Sequence, residues 1–91
     1  MTREEVEEKI NSLGVEAMFA DGFDEAIIGV CEQFTRVFVL YDYEKCVNDV
    51  LMKRDGMSRE DAVDFMDFNV IGSWVGESTP AFLVFGGCDE V

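Results

Sequence analysis

The chain has 91 residues, with twenty acidic and seven basic side chains, no histidine and a net charge of −13. That length suits one domain, since domains span about 50–250 residues, and the 48% apolar content is enough for a core. A field this negative repels nucleic acid and anionic membranes and attracts basic partners.

Further classes fall away on residue type. Without histidine there is no Ser-His or Cys-His nucleophile pair. Cys31, Cys46 and Cys88 are odd in number and lack a C-x-x-C spacing, so neither a disulfide framework nor a zinc site is expected. No cofactor and no catalytic constellation are expected. The polar, acidic N-terminus is unlike a signal peptide. No apolar run approaches the roughly 20 residues that span a bilayer. The expectation is a cytoplasmic, single-domain protein over 1–91.

Thr2-Arg3-Glu4-Glu5 is a capping box, and Val6, Ile10 and Leu13 give the following helix an apolar stripe ending at Gly14. Val15–Ala20 is expected as a strand, with Asp21-Gly22 as its hairpin turn. Ala26–Glu32 is a second strand with Ala26, Ile28 and Val30 on one face, and Gly29 suggests a bulge or a close packing contact. Gln33-Phe34-Thr35 makes a tight connection to a third strand, Arg36–Tyr41, apolar enough to be central. Asp42 caps a helix from Tyr43 to about Arg54, with Tyr43, Cys46, Val47, Val50 and Leu51 inward. Ser58 opens a third helix with Ala62, Val63, Phe65, Met66 and Val70 on its apolar side. A breaker-rich loop over 72–80 leads to a last strand, Ala81–Phe85, closed by Gly86-Gly87. The predicted fold is α+β in the order α-β-β-β-α-α-β, an antiparallel sheet of about four strands with helices packed on one face. The final strand is either internal or an edge that pairs with a second copy, which leaves a homodimer open.

Three surfaces are candidates for function. The first is acidic rows on the helices: Glu4, Glu5, Glu7 and Glu8 on the first, and Glu60, Asp64 and Asp67 at spacings of four and three on the third. Such rows imitate a phosphate backbone and suit a basic groove, or else are a plain solvated face. The second is an edge where a three-strand meander brings Asp21, Asp24, Glu25 and Asp42 together, either as oxygen ligands for a divalent cation or as turn and cap residues. The third is the stretch from Phe68-Asn69 through Trp74 to Pro80, a grip for a peptide or small ligand, or else Trp74 covers the core and Asn69 closes a helix end.

Asp-Gly-Phe-Asp-Glu-Ala at 21–26, Tyr-Asp at 41–42, Phe-Asn at 68–69 and Gly-Ser-Trp-Val-Gly-Glu-Ser-Thr-Pro at 72–80 occur in that order. Together they resemble a widespread group of small bacteriophage- and prophage-encoded proteins, over about two thirds of the chain. The resemblance carries no activity or site with it and implies a context. Small acidic phage proteins are often made to disable a host defence, as anti-CRISPR and anti-restriction proteins do, and several are DNA mimics. The leading expectation is therefore a stoichiometric inhibitor of a host defence complex. It would bind a basic, nucleic-acid-binding protein surface through Glu4, Glu5, Glu7, Glu8, Glu60, Asp64 and Asp67, with Trp74 or a nearby apolar residue as anchor. The alternative is a small-ligand or metal-binding accessory protein using the Asp21, Asp24 and Asp42 edge or the Asn69–Trp74 loop.

Overall fold

The computed structural model describes residues 2–34, 36–71 and 79–85. Trp74, most of the breaker-rich loop, Gly86-Gly87 and Cys88 lie outside them. Helix α1, Arg3–Leu13, begins on the predicted capping box: the Glu5 amide donates to Thr2 Oγ1 at 3.2 Å, and the Thr2 amide donates to Glu5 Oε1 at 2.8 Å. Gly14 ends it at φ 72°, a left-handed conformation that a Cβ would strain. Val6 and Ile10 are buried, whereas Leu13 is exposed, so the inward stripe is one turn shorter than the sequence pattern.

The segment 15–20 is not a strand. Ala17 and Phe19 alternate inward as an extended chain would place them, but among the described residues the backbone has no ladder partner. Its tie to the sheet is a side chain: the Ala20 amide donates to the Tyr41 hydroxyl at 2.8 Å. The cause is the turn at its C-terminal end. Asp21-Gly22 leads into a short 3-10 helix, Asp24–Ala26, which seats Phe23 and Ala26 in the core and separates the segment from the next strand. A two-residue hairpin therefore never closes.

Strands β1, Ile27–Gln33, and β2, Arg36–Asp42, form the antiparallel hairpin. Phe34 lies in its turn at φ 57°, the positive φ that tight hairpin turns demand, and its ring is 93% exposed. The bulge suggested by Gly29 is present, because Ile27 pairs with Tyr41 while Gly29 pairs with Leu40. Ile28 is the extra residue. This corrects the expected strand face: Ala26 and Ile27 are buried and Val30 joins the core, but Ile28 is 39% exposed.

On β2 the alternation is plain. Val37, Val39 and Tyr41 are buried, and the residues between them are half-buried. Asp42 then accepts the Lys45 amide at 3.2 Å and caps helix α2, Tyr43–Lys45, which widens into a π-helical stretch, Cys46–Arg54. Its core face is the expected one, Tyr43, Cys46, Val47, Val50 and Leu51. Beyond it Gly56 turns the chain at φ 76°. Ser58 caps helix α3, Arg59–Phe65, by accepting the Asp61 amide at 3.2 Å; the helix continues in wide turns over Met66–Ile71. Ala62 and Met66 are fully buried, with Val63, Phe65 and Val70 packed beside them.

The last strand, β3, is Ala81–Leu83, shorter than expected, and it pairs with β2 in parallel. The sheet is therefore mixed and three-stranded, in the order β1-β2-β3, not antiparallel with four. Two helices intervene between β2 and β3, and such a crossover returns the chain in its original direction. The result is an α+β fold with helices packed on an open sheet. Among the described residues no helix is long and apolar enough to cross a membrane.

Candidate partner-binding surfaces

No charged side chain is buried among the described residues, so every described carboxylate is at least partly wet. They divide by what holds them. Arg3 pairs with Glu7 at 3.3 Å and with Asp24 at 3.4 Å, and its guanidinium lies 4.2 Å from the centre of the Phe19 ring. Lys53 pairs with Asp49, Arg54 with Asp55, and Arg59 with Glu44 at 3.2 Å. Arg59 also donates to Asn48, so it leans toward α2 and away from the acids of its own helix.

The helical rows are left with their charge. Glu4 and Glu8 on α1 and Glu60 and Asp64 on α3 are exposed, and among the described residues no ion pair reaches them. Glu5 is occupied by the capping box, and the Thr2 amide holds its carboxyl below the usual range. Asp67 accepts the Tyr43 hydroxyl at 3.5 Å. Desolvation raises the Tyr43 pKa, and the neighbouring Asp67 charge adds to the rise.

Phe68 changes the picture of α3. It follows Asp67, lies four residues after Asp64, and is 79% exposed. Ile71, three residues further, is 41% exposed. The last helix thus carries apolar side chains beside its acidic row. Trp74, the expected anchor, lies outside the described residues. Sequence reasoning placed Phe68 at the start of the third candidate surface and gave the anchor role there to Trp74. The available signal was its phase: Phe68 is out of step with the buried pair Ala62 and Met66.

The expected edge of Asp21, Asp24, Glu25 and Asp42 does not assemble, since the meander that was to build it lacks its first strand. Asp24 is paired with Arg3, and Asp42 caps α2. Glu25 borders a shallow hollow with Gly22, Asp24 and Arg54, whose guanidinium donates to the Gly22 carbonyl at 2.8 Å. Among the described residues no three acidic or thiol side chains gather as metal ligands.

Asp21 instead meets Asn69, a residue expected at a different surface. Both line a cleft of about 300 Å³ together with Phe19, Phe23, Phe65, Pro80 and Phe82. The cleft thus joins the chain before β1, the end of α3 and β3. Tyr41 braces it from behind. Its ring stacks on Phe82 with centroids 5.4 Å apart, and its hydroxyl accepts the Ala20 amide. Burial pushes the Tyr41 phenol up to about 12. Burial likewise pushes the Cys46 thiol up to about 12, which leaves it a packing group and not a nucleophile.

No family model, no curated protein and no solved structure matches the chain.

Proposed function

We propose that this protein acts by stoichiometric binding to a basic, nucleic-acid-binding protein surface, as a phage-encoded inhibitor of a host defence complex such as a CRISPR effector. The observation that carries the reading is the outer face of α3. Glu60 and Asp64 have no ion-pair partner among the described residues, Asp67 engages only a tyrosine hydroxyl, and Phe68 stands exposed beside them. Carboxylates with no internal cation are available to external Lys and Arg, and an exposed aromatic supplies the apolar anchor that charge alone lacks. Glu4 and Glu8 of α1 extend the same kind of surface. The phage context rests on the resemblance in the sequence motifs, and the net charge of −13 agrees with it.

The test is an inhibition assay with a purified RNA-guided nuclease. Inhibition should saturate at a fixed stoichiometry and weaken as salt rises, because screening shortens the reach of surface charge. The triple variant Glu60→Lys, Asp64→Lys, Asp67→Lys should fold and fail to inhibit. If the folded triple variant inhibits as well as the parent, the reading is wrong.

A further inference from the structure

We propose that the cleft lined by Phe19, Asp21, Phe23, Phe65, Asn69 and Phe82 binds a small, flat organic cation, an aromatic amine or amidine. This site shares the end of α3 with the acidic face, but the inference does not depend on the function proposed for that face.

Shape comes first. A volume of about 300 Å³ is at the small end for ligand pockets, which hold roughly 300–1,000 Å³, so the occupant is about one ring with a short polar group. The walls are preset. Phe23 is buried in the core, Phe82 is stacked on Tyr41, and Phe19 has the Arg3 guanidinium over its ring. A ligand entering here orders little that is not already fixed, which removes one of the main costs of binding.

Charge selects the ligand. Phenylalanine rings present negative faces, which attract a cation and repel an anion. Asp21 adds a full negative charge, and among the described residues no Lys or Arg lines the cleft. Phosphates and carboxylates meet the Asp21 carboxylate and the field of a protein of net charge −13, against one guanidinium, Arg3, over the Phe19 ring. The Asp21 carboxylate offers acceptors to N–H groups, which matches an amidine or an aromatic amine.

The experiment is an NMR titration of the whole chain with three near-isosteric probes: benzamidine (cationic), benzamide (neutral) and benzoate (anionic). Benzamidine should shift the amides of Ala20, Asp21, Asn69 and Phe82 saturably. Benzamide should bind about fivefold more weakly, the size expected for one solvent-exposed charge pair, and benzoate should not saturate. Asp21→Asn keeps a residue that suits the turn, and its unchanged spectral dispersion will report that the fold is intact. It should bring benzamidine down to the level of benzamide and leave benzamide unaffected. Binding of benzoate as tight as that of benzamidine overturns the proposal. So does the absence of saturable shifts at those amides, or an Asp21→Asn variant that binds benzamidine like the parent.

Discussion

The acids near the sheet and the acids on the outer helical faces look alike in composition and differ in what they do. Around the sheet, Asp24 is paired with Arg3, Asp42 caps α2, and Glu44 is held by Arg59. On α1 and α3, Glu4, Glu8, Glu60 and Asp64 have no such tie among the described residues. The difference shows where the bases act: Arg3 holds Glu7 of the α1 row together with Asp24, whereas Lys53, Arg54 and Arg59 hold acids outside the rows. Part of the surplus of negative charge therefore lies on helix faces that these ion pairs do not reach.

The sharpest way to break that contrast is the charge reversal of Glu60, Asp64 and Asp67. Each reversal adds two charges, so the net charge moves from −13 to −7. Partner affinity should fall about 100-fold or more, as expected when several interfacial charge pairs become repulsive. The melting temperature should hold or fall slightly: three lysines in a row repel one another as three acids do, and Glu60→Lys puts a cation in the first turn of α3, while the lower net charge acts the other way.

The core gives the next largest effect, and it responds to alkali. It contains no carboxylate, but it does contain Cys46 and Tyr41. Both have folded pKa values raised to about 12, from ordinary values of 9.0 and 10.0. A raised value means the fold favours the neutral form. Its stabilising effect is complete below the ordinary value and is lost as pH climbs through the folded one. Urea unfolding should therefore show stability falling steadily from about pH 9 toward about pH 12. Cys46→Ala should delay the onset to about pH 10, where the ordinary tyrosine begins to ionise, at the expense of packing.

Smaller effects separate the two groups of acids directly. Asp42→Ala removes the α2 cap and should cost about 1 kcal/mol by chemical denaturation. Asp64→Ala, on the exposed row, should leave stability unchanged. Smallest of all, Arg3→Gln releases Glu7 and Asp24. A slight loss in melting temperature is expected with a slight gain in affinity for a basic partner, and calorimetry of both will show whether the two move in opposite directions.

Local chemistry was readable in advance. The Thr2-Glu5 box, the Asp42 and Ser58 caps and the apolar face of α2 depend on residues three or four apart, and all form as the pattern indicates. The bulge at Gly29 was readable for a similar reason. The misses depend on distant neighbours. Val15–Ala20 has strand-like residues, but the 3-10 turn Asp24–Ala26 separates it from β1, the strand it was expected to join. The direction of β3 comes from the crossover of the two helices before it, which no property of Ala81–Leu83 records. The cleft joins positions 21, 69 and 82, so no window of sequence contains it. Phe68 was named in the stretch that runs to Pro80, but its exposure on the last turns of the helix, which run to Ile71, depends on which face Ala62 and Met66 bury.

The extra residue in β1 has a consequence for how crowded a solution this protein tolerates. A regular, unpaired strand offers evenly spaced amides and carbonyls on which another chain can grow. Ile28 interrupts that spacing on one margin of the sheet, and β3, three residues long, offers little on the other. The hairpin can therefore keep an exposed phenylalanine at its tip without the sheet becoming a template for fibres. Deleting Ile28 would restore the even spacing, and fibre growth at high protein concentration is the failure to watch for.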